Sequence, residues 1–172
     1  MIGQQIMELM KKLDTLDERS RMDLCSQVDE QRDELLTVLI RYLNTTTSAS
    51  IKTATIYLIG RHRLLNGVKE LIKQIDFDSE SQSRGSPLPL WGQYPAMEAL
   101  INIGQPAIPA AVDLLATDIN DLRRDLAVKV IRYVEDAETA KFILARVHAG
   151  EIDPNRKANL QDAIDRLEKL PE

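Results

Sequence analysis

With 172 residues, the chain is long enough for one domain with a substantial core, and its 44% hydrophobic and 28% charged residues exclude intrinsic disorder. A net charge of −5 argues against general nucleic-acid binding, which needs a concentrated positive field to neutralise phosphates. The single cysteine, Cys25, excludes an internal disulfide and a thiolate metal cluster.

The amino terminus gives no sign of a targeting segment. In the stretch MIGQQIMELMKKLD, polar residues Gln4, Gln5 and Glu8 interrupt the apolar ones, and no basic leader precedes them. No run elsewhere approaches the roughly 18 to 20 consecutive apolar residues of a membrane span. We therefore expect no membrane-spanning helix. We also expect a cytoplasmic protein if Met1 is the native start, whereas a chain trimmed from an exported protein leaves the compartment open.

Helical periodicity begins at the amino terminus. Apolar residues recur every three or four positions over residues 1–14, which predicts an N-terminal capping helix, and again within a helical unit at 17–44. The cluster NTTTSAS that follows predicts a turn with candidate N-caps. The segments IKTATIYLIG and LLNGVKELIKQI then predict two helices in quick succession, which form a second unit at 48–75.

Residues 76–93 form the only long stretch without periodicity, and we interpret them as an inserted loop. Loops of this length are often functional or disordered. Helical periodicity then returns in two further units, at 94–117 and 119–149. Residues 153–170 predict a C-terminal helix in which Asp153 is the N-cap and Pro154 is the first helical residue.

The helical units share a spacing that identifies them as internal repeats. When Gly60 is aligned with Gly104, 44 residues further on, five apolar pairs coincide. These pairs are Ile56 with Leu100, Ile59 with Ile103, Leu64 with Ile108, Val68 with Val112, and Leu71 with Leu115. Glu135, 31 residues after Gly104, aligns a third copy less completely. The spacing of 44 residues exceeds the spacing of 31 by about the length of the inserted loop. We therefore predict a repeat unit of about 31 residues with one insertion.

The stretches ALINIGQPAIPAAVDLL and LRRDLAVKVIRYVED resemble HEAT repeats of the phycobilisome-lyase-like subtype. In that subtype an Ile-Gly turn ends an Ala/Leu-rich first helix, and Leu-Arg-Arg opens the next first helix. The resemblance implies an all-α, armadillo-type fold: a right-handed α-solenoid of about four degenerate helix pairs with capping helices, roughly nine or ten helices in all. It also implies that second helices line the concave face, where a partner would meet Lys69, Lys73, Asp113 and Lys141.

The local motifs do not support catalysis or metal binding. In GQPAIP, two prolines lack the amides that an anion site needs, so we interpret Gly104 as part of a joint between two helices. The acidic stretch beginning at Asp76 lacks the Gly and Glu of a calcium loop. Both histidines, His62 and His148, lack a second ligand at metal-binding spacing. We therefore predict no catalytic residue, no cofactor and no metal site.

Two further features are candidates for contact with a partner. Arg61 and Arg63 lie in the mildly basic middle of the chain, where a solvated surface turn is the simpler explanation. Trp91 lies near two prolines in the inserted loop. Tryptophan is enriched at interface hot spots, but it also anchors loops onto cores, and both roles remain open for Trp91.

The absence of a catalytic constellation favours a non-enzymatic protein-binding or scaffold module, which we expect to be a monomer with a protein partner. Two alternatives come from HEAT-fold proteins of other classes. One is an enzyme resembling DNA glycosylases, which the acidic charge and the 4% aromatic content disfavour. The other resembles bilin lyases, which handle a large conjugated ligand. The sequence does not identify an individual partner.

Overall fold

The computed structural model describes residues 32–79 and 92–170. These ranges contain helices and no strand, which confirms the all-α prediction for them. The eight α-helices are α1 (Arg32–Thr45), α2 (Ala49–Arg61), α3 (Val68–Lys73), α4 (Pro95–Ile103), α5 (Ile108–Thr117), α6 (Asp121–Val134), α7 (Ala137–Gly150) and α8 (Pro154–Glu168). Short 3-10 helices, Leu65–Gly67 and Gln105–Ala107, precede α3 and α5. The capping helix predicted at 1–14, much of the unit at 17–44 and most of the inserted loop lie outside the described residues.

Several helices begin at residues whose side chains accept hydrogen bonds from the otherwise unpaired first amides of the helix. The N-caps of this kind are Ser48 for α2, Asn120 for α6, Asp136 for α7 and Asp153 for α8. At α8, the Asp153 carboxylate accepts from the N–H groups of both Asn155 and Arg156. Pro154 follows in the first turn of α8, so the predicted start of the C-terminal helix is confirmed.

The described helices pack in two rows. In the first row α2, α4 and α6 lie side by side, and in the second row α3, α5 and α8 do so. At the ends, α1 packs against α2, and α7 packs mainly against α8. Because an isolated amphipathic helix cannot bury its apolar face, each helix depends on these neighbours. The fully buried side chains of the shared core include Leu39, Ile59, Leu71, Leu100, Leu115 and Leu126.

A buried arginine on α6 holds α8 in the second row. The Arg124 side chain is only 7% exposed, and its Nη2 donates to Asp162 Oδ2 at 2.7 Å and to the Asn159 carbonyl at 2.8 Å. Asn159 in turn donates from Nδ2 to the Ala116 carbonyl of α5 at 2.9 Å. These bonds tie α8 to both α5 and α6.

A second arginine extends this ionic network from the α8 side. Arg166 donates to Asp162 on its own helix, and to Asp121 and Asp125 on α6, each at 2.6 Å. Asp162 therefore lies between two guanidinium groups, Arg124 and Arg166. We name the set Arg124, Asp162, Arg166, Asp121 and Asp125 the α6–α8 network.

Gly104 forms the joint between α4 and the following 3-10 helix. Its φ of +85° and ψ of −145° fall in a region that only glycine adopts readily, and its N–H donates to the Leu100 carbonyl. Pro106 and Pro109 follow in the first turns of the 3-10 helix and of α5. The interpretation of GQPAIP as a joint is confirmed. The helical segments on the two sides of Gly104 meet at an angle of 119°.

No single described helix is long and apolar enough to cross a membrane.

The helix boundaries correct the repeat alignment. Gly60 lies inside α2, and the residue with positive φ in the turn after this helix is Arg63, at 48°. The second helices α3 and α5 begin at Val68 and Ile108, which are 40 residues apart, and each comes directly after a 3-10 helix. The alignment of Gly60 with Gly104, at 44 residues, is therefore shifted by about one helical turn of 3.6 residues.

We expect Gly104→Ala to lower the free energy of unfolding by about 1 to 3 kcal/mol, because a Cβ is strained at this positive φ. Steric contact does not contribute, since no atom lies within 4 Å of the added Cβ. The control is Gly150→Ala at the end of α7, which also has open space but no positive φ, and which should gain up to about 1 kcal/mol. Urea unfolding measures both variants, and equal losses would contradict backbone strain at Gly104.

The α6–α8 network should be essential for stability. Removing the carboxylate in Asp162→Ala leaves the buried Arg124 without a counterion and is expected to cost about 3 kcal/mol. Asp165→Ala on the same helix removes a carboxylate that accepts only from Gln161, and should change stability by less than about 0.5 kcal/mol. Denaturant titration of the two variants gives the comparison. A network without energetic importance would leave their midpoints equal.

Candidate partner-binding groove

A groove of about 650 Å³ runs between α3 and α5 and ends at the first turn of α6. It is lined by Leu65, Asn66, Val68, Lys69, Ile72, Ala110, Asp113, Leu114, Thr117, Asp118 and Arg123. Its volume lies in the range of about 300 to 1,000 Å³ that is usual for small-molecule pockets.

The groove is built from two helical stripes. On the first side Leu65, Lys69 and Ile72 follow a spacing of four and then three residues, which places them on one face. On the α5 side Ala110, Asp113, Leu114 and Thr117 share a face for the same reason. The aliphatic side chains Val68 and Leu114 are buried in the floor, whereas Leu65 is 56% exposed at the rim. The groove is therefore apolar at its base and charged along its edges.

Arg123 lies at one end of the groove, where Nε, Nη1 and Nη2 of its guanidinium all donate hydrogen bonds. Its Nε donates to Asp118 at 2.7 Å and its Nη1 donates to Asp76 at 2.8 Å. The same guanidinium donates to the carbonyls of Ile72 and Lys73, the last residues of α3, at 3.2 Å each. Arg123 thus adds a donor to the last carbonyls of α3, one of which, Ile72, also accepts from the Ile75 N–H at 3.3 Å, and it complements the negative end of the helix dipole.

The carboxylate of Asp118 is held in its charged form. Burial raises its pKa, but hydrogen bonds from the Asn120 N–H and from Arg123 outweigh burial and hold the pKa below its usual value. Burial likewise opposes the charge on Arg123, and the nearby Asp118 and Asp76 more than offset it, which raises the pKa of Arg123. At neutral pH this end of the groove is a closed ion pair rather than a free charge.

Two of the residues proposed from the sequence meet in the groove. Lys69 lies on the α3 side and Asp113 on the α5 side. Asp113 is 70% exposed and accepts from Arg156 of α8 at 3.3 Å. Lys69 makes no hydrogen bond or salt bridge to any described residue. Lys73, at the end of α3, is outside the lining and pairs with Glu70 at 2.8 Å.

The remaining predicted residues lie elsewhere. Arg61 and Arg63 are exposed on the turn that leads into Leu65, at the opposite end of the groove from Arg123. Lys141 pairs with Glu168 on the surface formed by α7 and α8, away from the groove lining. Trp91 lies outside the described residues. The groove therefore unites Lys69 and Asp113, adjoins Arg61, Arg63 and Lys73, and excludes Lys141.

The two described ends of the inserted loop meet each other. The Ser79 N–H donates to the Gln93 carbonyl at 3.0 Å, and Gln93 Nε2 donates to Asp78 at 2.9 Å. The N–H of Gly92 donates to Oε1 of Glu98, in the first turn of α4, at 2.7 Å. The chain therefore leaves the helical rows and returns to them at one point. Residues 76–93 insert between α3 and α4 without separating these two helices, which remain in contact.

In the described ranges, no group of three or more His, Cys, Asp or Glu residues could hold a metal ion. His62 is buried at the end of α2, and His148 lies on α7. No family model, no curated protein and no solved structure matches this chain. A function is therefore inferred from the geometry of the groove.

Sequence reasoning overlooked two residues that define the groove. Leu65 follows the buried Leu64, and in the pair LLNG only one leucine can face the core. The two adjacent leucines could therefore have predicted that one of them is exposed. Arg123 was noted only as part of a Leu-Arg-Arg motif, and its contact with residues about 50 positions earlier had no local signal.

The Glu98 carboxylate at the base of the inserted loop makes stability depend on pH. Burial raises the pKa of Glu98, although the hydrogen bond from Gly92 works in the opposite direction. The folded state therefore binds the Glu98 proton more tightly than the unfolded chain does. The resulting stabilisation is complete below the unfolded pKa near 4.5 and is lost as pH rises through the folded pKa.

We expect Glu98→Gln, which keeps an oxygen acceptor for Gly92, to be more stable than the unmodified protein at about pH 7. This difference should shrink as the pH is lowered toward about 4. Chemical unfolding across this pH range measures it. The matched control is Glu138→Gln, in the first turn of α7, which should not gain stability at neutral pH. A Glu98→Gln protein that is less stable at neutral pH would refute the assigned cost of burying this carboxylate.

Proposed function

We propose that this chain is a non-enzymatic protein-binding or scaffold module that holds its partner in the groove between α3 and α5. The observation that carries the proposal is the groove itself, in which an apolar floor and charged edges share one concave surface. Interfaces between proteins combine an apolar centre with a polar rim in the same way.

We also propose that the helices form a right-handed α-solenoid of HEAT-like units. Two rows of neighbouring helices, α2, α4 and α6 against α3, α5 and α8, support this arrangement. In such an array each unit supplies one helix to each row, and stacking of units completes the core. The last place in the second row belongs to α8, so α8 completes the unit that begins with α6, and α7 lies between them in the chain.

The chemistry of the lining supports binding rather than catalysis. The lining residues include no histidine, cysteine, serine or glutamate, and the carboxylates Asp113 and Asp118 are both paired with arginine. General acid–base or nucleophilic catalysis needs a positioned group with an adjusted pKa near the reacting atoms. The charges of the lining, two cations and two carboxylates, also favour a protein partner over a nucleic-acid polyanion.

The test is a pull-down from the organism that encodes the protein, quantified by mass spectrometry. At least one retained protein should be depleted about tenfold or more by Lys69→Glu, because the substitution reverses the charge at the groove edge. The matched control is Lys157→Glu, an exposed lysine on α8 outside the lining, which should retain the same proteins. Circular dichroism verifies that both variants are folded. If neither Lys69→Glu nor Leu65→Ser changes the set of retained proteins, the groove is not the binding surface.

A further inference from the structure

We propose that the groove accepts an acidic amphipathic α-helix of a partner protein, with aliphatic side chains in the floor and carboxylates at Lys69 and the neighbouring arginines. This proposal deepens and rests on the protein-binding function proposed above. It follows from the pairing of charges along the groove, from the helical walls, and from the exposed leucine at the rim.

The first step is the uneven compensation of charge. Both carboxylates of the lining have a cationic partner within the protein, since Asp118 is bound by Arg123 and Asp113 by Arg156. Lys69 makes no salt bridge to a described residue, and the nearby Glu70 carboxylate, whose pKa Lys69 helps to lower, is bound by Lys73 at 2.8 Å. An incoming carboxylate can therefore pair with the exposed Lys69 ammonium group, whereas an incoming cation has to compete with two arginines that are already in place. The groove is selective for negative charge although its formal charges balance.

The adjoining turn adds to this preference. Arg61 and Arg63 are exposed and form no salt bridge with a described residue, and Arg63 is only two residues from Leu65 at the rim. The net charge of −5 does not cancel the attraction, because charges more than about 8 Å apart are largely screened at physiological ionic strength. These two exposed arginines therefore add positive charge close in sequence to the rim residue Leu65.

The second step concerns the backbone of the partner. The walls of the groove are α-helices, whose own backbone groups are already hydrogen-bonded, so they offer no free edge to which an extended strand could pair. A helical partner satisfies its own backbone hydrogen bonds and presents only side chains to the groove. The nine residues from Leu65 to Lys73 extend over about 14 Å at a helical rise of 1.5 Å per residue, which accommodates between two and three turns of a partner helix.

The third step is the aliphatic anchor point. Leu65 is 56% exposed, although its neighbours Leu64 and Val68 are buried. Together with Ile72 and Ala110 it leaves an apolar strip beside Lys69. A helix with leucine or isoleucine at every third or fourth position, and an aspartate or glutamate beside them, matches both the strip and the cation.

The experiment is a phage-displayed library of random peptides of about 16 residues, long enough for four helical turns, selected on the whole folded protein. The enriched peptides should be acidic, should carry aliphatic residues at helical spacing, and should bind more weakly as the salt concentration rises. The enriched peptides are then synthesised, and their affinities for the protein are measured by fluorescence anisotropy. Lys69→Glu and Leu65→Ser should each weaken binding by about tenfold, whereas Lys157→Glu should not.

The outcomes separate this inference from the function on which it rests. Enriched peptides that need Leu65 but are neutral or basic, or that ignore Lys69→Glu, would overturn the acidic helix and leave the groove as a protein-binding site. Failure to enrich any peptide that depends on Leu65 or Lys69 would overturn both proposals. Leu65 and Lys69 are exposed on the surface, so folding of these variants is readily verified by their unchanged thermal unfolding.

Discussion

The buried guanidinium of Arg124 is the constraint on which the second row of helices depends. A charge with a 7% exposed side chain has to be paired, and its partners Asp162 and Asn159 both belong to α8. Pairing Arg124 therefore fixes α8 against α5 and α6. This position brings Arg156, at the start of α8, to Asp113 on the edge of the groove. A stabilising contact in the interior thus determines which charges are paired along the edge of the groove.

The adjacent residue Arg123 forms hydrogen bonds on another side of the same helix, α6. Successive residues of an α-helix point about 100° apart, so Arg123 and Arg124 face different neighbours. Arg124 turns toward α8, and Arg123 turns toward the last carbonyls of α3. One dipeptide of α6 therefore connects two helices of the second row, α3 and α8.

The sequence predicts the described helices well and their pairing less well. The starts of α2 and α8 follow from capping residues, and the joint at Gly104 follows from glycine and proline chemistry. The repeat alignment slipped by one turn because apolar residues four positions apart share a helix face, so both registers match the same pattern. The place of α8 beside α5 depends on bonds of Arg124 to residues at least 35 positions later, which periodicity does not encode.

The same limit applies to the groove. The sequence predicts Lys69 and Asp113 from their helix positions, but it does not predict how they differ. Asp113 pairs with Arg156, which is 43 residues later, whereas Lys69 makes no salt bridge to a described residue. Net charge is a poor guide for this reason. Around the groove and along α6 and α8, the carboxylates of Asp76, Asp118, Asp121, Asp125 and Asp162 are each bound by an arginine. The charge that a surface presents within a screening length therefore depends on which side chains are already paired, and the total of a chain does not give it.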